Sequence, residues 1–229
     1  MRNTFKTFFV NSSNNQAYNL ANKIAKGEVI ENTNPLIFYG PSGCGKSHLL
    51  DGIWNYYVQN NEKHSEWMSS HGFQATIEGY NYNISNISNF KEISLLLIDD
   101  IDIVDDKRNG KFTCEVLEKL IQEGIQICIA CTKLPSETYK PELASLFSRG
   151  KCVELKLPTK QEQKDFYKYM SKVEGVDIYG DEPYEYLCEK TKDYRTMKSE
   201  FVKLRFYMIK DNLETVALST SQIKKYLEN

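Results

Sequence analysis

The chain reads as an α/β protein, a parallel sheet flanked by helices and followed by a small C-terminal helical lid. Three observations predict this. Runs of strand length at Leu36–Tyr39, Ile93–Ile98 and Ile125–Cys131 hold few polar residues, as strands buried on both faces of a parallel sheet do. Segments with apolar residues at helical spacing alternate with those runs, which implies crossover helices on both faces of one sheet. From Thr159 onward only helical patterns recur. At 229 residues the chain is long enough to bury a full core.

Taken in order, Gln16–Lys26 places Ala17, Leu20, Ala21, Ile24 and Ala25 on one helix face. The strand Leu36–Tyr39 follows, then a glycine-rich loop, then a helix from Lys46 to about residue 59. Residues 60–92 are rich in Ser, Asn and Tyr with weak periodicity, and fit a short strand with a loop or helix. Ile93–Ile98 is expected as a central strand, Lys111–Glu123 as a helix, Ile125–Cys131 as a buried strand and Val153–Leu157 as a last short strand. The lid is expected as helices near 159–173, 181–191, 194–211 and 219–228, with Ser219 and Thr220 as caps for the last. No repeats occur, and the boundary falls near Pro158, giving a body of 1–158 and a lid of 159–229.

Composition narrows the function. The net charge of −2 lacks the basic footprint of a dedicated nucleic-acid binder, so any DNA contact is local, through Lys107, Arg108 and Lys111. The N-terminal MRNTFKTFFVNSSNNQ has no signal-peptide core, no stretch reaches membrane-spanning length, and a cytoplasmic location is expected. Six cysteines are scattered, and only Cys128 and Cys131 make a CxxC pair. In a strand, positions three apart face opposite ways, so this pair suits core thiols rather than a metal or redox site. His48, His64 and His71 do not cluster with acids, and the sequons at Asn11, Asn83 and Asn86 belong to an Asn-rich chain without a secretion signal.

The chemistry concentrates in GPSGCGKSHLL, residues 40–50. Gly40, four residues, then Gly45-Lys46-Ser47 is the spacing of a phosphate-binding loop between a strand and a helix. Backbone N–H groups around Ser42, Gly43, Cys44 and Gly45 converge on phosphate oxygens, Lys46 reaches the β and γ phosphates, and the Ser47 hydroxyl ligates Mg²⁺. About fifty residues on, LLLIDD ends a buried strand in Asp99 and Asp100. At the carboxyl edge of a parallel sheet such acids face the ligand crevice. Asp99 is placed to hold Mg²⁺ through water, and Asp100 to orient or activate the attacking water. Thr132, ending the strand 125–131, is placed to sense a γ-phosphate. Arg195 opens a lid helix and is placed to reach the phosphate tail.

These residues, in this order and spacing, resemble the AAA+ ATPase module of the bacterial replication initiator DnaA and its short relative Hda, along almost the whole chain. Thr4 to Phe8 and Ser13-Asn14 are similar to that family's N-terminal segment. The resemblance implies that Phe9, Val10 and Asn14 lie near the adenine, with His48 beside the loop. Gly40 to Leu50 matches its Walker A region, Leu97 to Ile101 its Walker B, Thr132 with Pro135 its first sensor and Arg195 its second. The implied ligands are ATP or ADP with Mg²⁺. The implied partners are replication proteins, whether a DnaA-type initiator, the sliding clamp or a helicase, with a homo-oligomer as a further assembly. Three departures stand out. In LASLFSRG, residues 143–150, Leu146 occupies the family's arginine-finger position and Arg149 is displaced by three; Thr132 replaces an aspartate of DnaA; and neither DnaA's C-terminal helix-turn-helix domain nor Hda's clamp-binding peptide is expected. Sequence-specific duplex binding is therefore not expected.

Two other families share GPSGCGKS. An ABC ATPase places LSGGQ before Walker B, whereas the echo LSTSQ here comes long after it, at residues 218–222. A nucleoside-phosphate kinase needs arginines in an acceptor-binding lid, and residues 60–92 contain none. The expected activities are weak ATP hydrolysis in replication initiation or its regulation, or the action of a nucleotide-gated binding module or helicase-loader-like factor with negligible turnover.

Overall fold

The computed structural model describes residues 3–60, 64–79, 84, 90, 92–101, 109–134, 141–211 and 217–228. Two compact units emerge, one of Met1–Pro41 with Lys46–Leu155, the other of Ser42–Gly45 with Lys156–Asn229.

The first unit is built on β1 (Leu36–Tyr39), β2 (His64–Ser69), β3 (Ile93–Asp99), β4 (Gln126–Cys131) and β5 (Lys151–Glu154). All pair in parallel, in the order β2-β3-β4-β1-β5. The apolar runs supply β1, β3 and β4, the three strands flanked on both sides, as their composition requires. One face is covered by α3 (Ser70–Gly79), α4 (Asn109–Gln122) and α5 (Pro141–Arg149), where Phe73, Val116, Leu120 and Phe147 pack on Ile37, Leu96 and Ile129. The other face receives α1 (Asn15–Ala25) and α2 (Lys46–Asn60). Cys131 joins the first core and Cys128 lies outside it, on opposite faces as the strand period demands.

Local chemistry fixes the ends of these elements. Before β1, the Asn34 side chain donates to the Ile125 carbonyl (2.8 Å) and accepts from the Ile127 N–H (3.0 Å), extending the β1–β4 pairing by a side chain. β5 starts two residues earlier than Val153 and stops before Leu157. Lys151 N–H already donates to the Pro35 carbonyl (2.9 Å), and the Leu155 N–H bond to Tyr39 (2.8 Å) uses the last carbonyl of β1. Within residues 60–92 the short strand is β2 and the loop or helix is the helix α3, while α5 is a helix that the sequence reading did not assign.

The second unit holds α6 (Lys160–Glu174), α7 (Glu182–Lys190), α8 (Tyr194–Lys210) and α9 (Thr220–Leu227). Thr159 and Glu162 form a capping box on α6, Ser219 and Gln222 another on α9, and the Asp193 carboxylate caps α8 by accepting from the Arg195 and Thr196 N–H groups. Inside, Tyr167, Leu187, Phe201 and Ile223 are buried, and the Tyr167 hydroxyl is hydrogen-bonded to that of Thr191 (2.7 Å).

Candidate functional site

Register places the expected chemistry at one edge. Tyr39 on β1 is level with Cys131 on β4, and Ile129 with Ile98 on β3, so Gly40, Thr132, Asp99 and Asp100 lie at the carboxyl ends of three adjacent strands. Gly40 N–H donates to the Cys131 carbonyl (3.2 Å) before the loop departs. The turn then runs through Gly43 at φ +80° and Gly45 at φ +109°, a backbone path that L side chains resist. α2 begins directly at Lys46, so its first-turn N–H groups, which no helical carbonyl satisfies, lie at the loop's exit. Lys46 is 5% exposed, and its ammonium donates to the carbonyls of Gly40 (2.7 Å) and Pro41 (3.0 Å), keeping a cation inside the loop.

Next to the loop, the Ser47 hydroxyl is hydrogen-bonded to the Asp99 carboxylate. Burial pushes the Asp99 carboxyl above its usual range; the Ser47 bond opposes this, Asp100 and Asp51 reinforce it, and Lys46 opposes it. Asp99 Oδ1 is buried without a hydrogen-bond partner. A buried oxygen with open valence beside a serine hydroxyl is a donor set suited to a hard divalent cation, so Ser47 and Asp99 fit Mg²⁺. Asp100 is exposed and held at φ +54°, turning the chain sharply after the strand. Thr132 is exposed at the end of β4.

The N-terminal residues are fastened to α2. His48 Nε2 lies 3.0 Å from the Thr4 carbonyl and 3.2 Å from Thr7 Oγ1; because a carbonyl only accepts, Nε2 carries the proton. Phe8 meets the His48 ring edge-on at 5.2 Å and stacks on Tyr18. Asn14 is 3% exposed, and its side-chain amide donates to the Phe9 carbonyl and accepts from the Asn11 N–H (both 2.9 Å). His48 and Asn14 therefore have protein partners that organise this segment, while Phe9 is half-buried and Val10 exposed. Cys44 is buried and Ser42 exposed.

Within the second unit, the loop tip meets the start of α8. Tyr194 N–H donates to the Gly43 carbonyl (3.2 Å), and a Cβ on Gly43 would lie 2.3 Å from Asp193 Oδ1. Arg195, exposed in the first turn of α8, is thus two residues from the loop's neighbour Asp193. Asp193 and Asp51 were not singled out by motif; an acid directly before a helix is the signal that marks the former. At the other end of the body, Leu146 is 3% exposed in the core, whereas Arg149 at the end of α5 is exposed and paired with Glu118 of α4. Lys111 is exposed and pairs with Glu115 (4.0 Å), while Pro135, Lys107 and Arg108 lie outside the described residues. Among the described residues no group of three or more His, Cys, Asp or Glu is arranged to hold a metal, and no helix is long and apolar enough to cross a membrane.

Comparison with known proteins places this geometry. The model of the bacterial DnaA ATPase domain matches residues 1–154. The chromosomal replication initiator protein DnaA of Thermotoga petrophila is 28% identical over 214 residues, 89% of this chain and 48% of that protein. The chain thus spans about half the length of the curated relatives it matches. Domain III of the Thermotoga maritima replication initiation protein DnaA shares the fold, with a TM-score of 0.81 at 24% identity, over 99% of this chain and 95% of that one. AMPPCP-bound DnaA from Aquifex aeolicus gives 0.78 at 26% identity, over 93% of this chain and 68% of that one. The parallel sheet flanked by helices is an AAA+ P-loop fold, and the chain belongs to the bacterial DnaA ATPase domain family.

Proposed function

We propose that this chain binds ATP and ADP with Mg²⁺ at residues 40–47, and acts in replication initiation or its regulation through nucleotide-dependent protein assembly. Residues 1–158 form the nucleotide-binding body and 159–229 the lid. The observation that carries this reading is the buried, unpartnered Asp99 Oδ1 beside Ser47 at the exit of the glycine loop. Ser47 and Asp99 would hold Mg²⁺, which when bound would neutralise phosphate charge. Lys46 leaves the Gly40 and Pro41 carbonyls to contact those phosphates, exchanging two neutral acceptors for charged ones. Asp100 orients the attacking water and accepts its proton, Thr132 senses the γ-phosphate, and Arg195 couples the phosphate tail to α8. Products are ADP and phosphate.

Hydrolysis by the isolated chain is slow. Leu146 packs into its own core and offers nothing to a neighbouring site, and Arg149, the exposed arginine nearby, is engaged by Glu118. An arginine supplied to such a site contributes about 10³–10⁵ in rate in related phosphoryl-transfer enzymes. The partner that raises turnover is a replication protein, a DnaA-type initiator before the sliding clamp or a helicase. The test is steady-state ATP hydrolysis against protein concentration, alone and with a DnaA-type initiator. A flat, low specific activity alone and a rise with the initiator are expected. A steep concentration-dependent rise by the chain alone, lost in Arg149→Ala, would show instead that Arg149 serves as a finger between copies.

A further inference from the structure

Helix α8 carries two apolar stripes. Met197, Phe201, Leu204 and Met208 recur at helical spacing and are buried in the lid core. Val202, Phe206 and Ile209 recur at i, i+4 and i+7 on a different face, and are 50%, 62% and 50% exposed. Single exposed apolar residues are ordinary, but three in line along one helix have the seam spacing of helix pairing. With Phe206 at an a position and Val202 and Ile209 at d positions, the flanking e positions are Lys203 and Lys210 and the flanking g positions are Lys198 and Arg205. All four flanks are cationic. Over its length α8 holds five cations against one acid, Glu200, in a chain of net charge −2. Glu200 lies off the seam with Oε2 buried, and Arg205 is paired with Glu174 of α6.

We infer that this outer face of α8 docks an amphipathic helix of a partner protein whose apolar seam is flanked by Asp and Glu. Flanking charges choose partners in helix pairing, and Lys203 and Lys210, exposed along one flank of the seam, select acids. A second copy of α8 is a poor occupant, because its own four cations would face these four. Single-stranded nucleic acid is disfavoured because it draws on successive aromatic platforms, and this face carries one ring, Phe206, between Val202 and Ile209. The inference is independent of the nucleotide reading.

The test uses the full chain and fluorescence anisotropy. The probe is a labelled three-heptad helical peptide with Leu at a and d and Glu at e and g; a Lys-flanked counterpart serves as control. Phe206→Ser and the pair Lys203→Glu with Lys210→Glu change exposed side chains, so their thermal melts should match the wild type. The acidic peptide is expected to bind saturably, the Lys-flanked one not, and each variant to weaken binding by about tenfold or more. The inference is overturned if the acidic peptide does not bind, or binds the variants as well as the wild type. It is equally overturned if the seam variants abolish binding of oligothymidylate, or a concentration-dependent self-association in sedimentation velocity.

Discussion

Replacing Gly43 with alanine strains the contact between the loop tip and α8 in two ways. Gly43 sits at φ +80°, and a side chain there costs about 1–2 kcal/mol. The added Cβ would also lie 2.3 Å from Oδ1, 2.6 Å from Cγ and 2.7 Å from Cβ of Asp193, so rotating a terminal atom away does not relieve it. Asp193 must move as a whole, and its carboxylate then leaves the Arg195 and Thr196 N–H groups uncapped, a loss of about 0.5–2 kcal/mol. The expected total is about 1.5–4 kcal/mol. Urea unfolding followed by circular dichroism measures it, with Asp193→Gly and the double variant closing a thermodynamic cycle. The double variant should cost clearly less than the sum of the singles, because Asp193→Gly removes every clashing atom. A neutral Gly43→Ala, or strict additivity, would refute the described contact.

Asp99→Asn should stabilise the metal-free protein at neutral pH. An acid whose folded value is raised above 3.8 contributes stability below that pH and loses it as pH rises through the folded value, so ionised Asp99 is a cost at pH 7. Replacing the buried carboxylate by a neutral amide is expected to raise the melting temperature by about 2–4 °C, an advantage that shrinks on acidification. Melts across pH check this, and a lower melting temperature at neutral pH would contradict it. Leu146→Arg places a cation in the core and should destabilise by several kcal/mol rather than create a finger, whereas Arg149→Ala removes an exposed pair and should cost no more than about 1 kcal/mol, both measurable by urea unfolding. Thiol labelling of the native protein at pH 8 should reach half-buried Cys152 before Cys114, whose thiol is pushed up to about 11 chiefly by burial; mass spectrometry of the labelled peptides decides the order.

Sequence was most informative where chemistry is local. β1, β3 and β4 are legible because strands covered on both faces must be apolar throughout. β2 is not, because among the described residues HSEWMS is an edge strand paired with β3 alone, and its half-buried pattern carries polar residues. α5 is short, yet Leu143, Leu146 and Phe147 have the i, i+3, i+4 spacing of a buried face, enough to assign Leu146 to the core rather than to a neighbour. At the site, the glycine loop and the paired acids each sit within a few consecutive residues. The partners of His48 lie 41 and 44 residues away and that of Gly43 on α8, so packing, which no local pattern encodes, decides them.

Nucleotide binding at residues 40–47 is the property on which every proposed role of Lys46, Ser47 and Asp99 depends. Titration of a fluorescent ATP analogue, with and without Mg²⁺, should be run on the wild type, Lys46→Ala and Asp99→Asn. Saturable binding strengthened by Mg²⁺ is expected for the wild type. Lys46→Ala should lose it by about a hundredfold, since a charge-assisted contact to phosphate goes with the cation. Asp99→Asn should retain metal-free binding while losing most of the Mg²⁺ enhancement. Equal affinity in wild type and Lys46→Ala, or no binding to the wild type, would contradict the assignment of this loop as the nucleotide site.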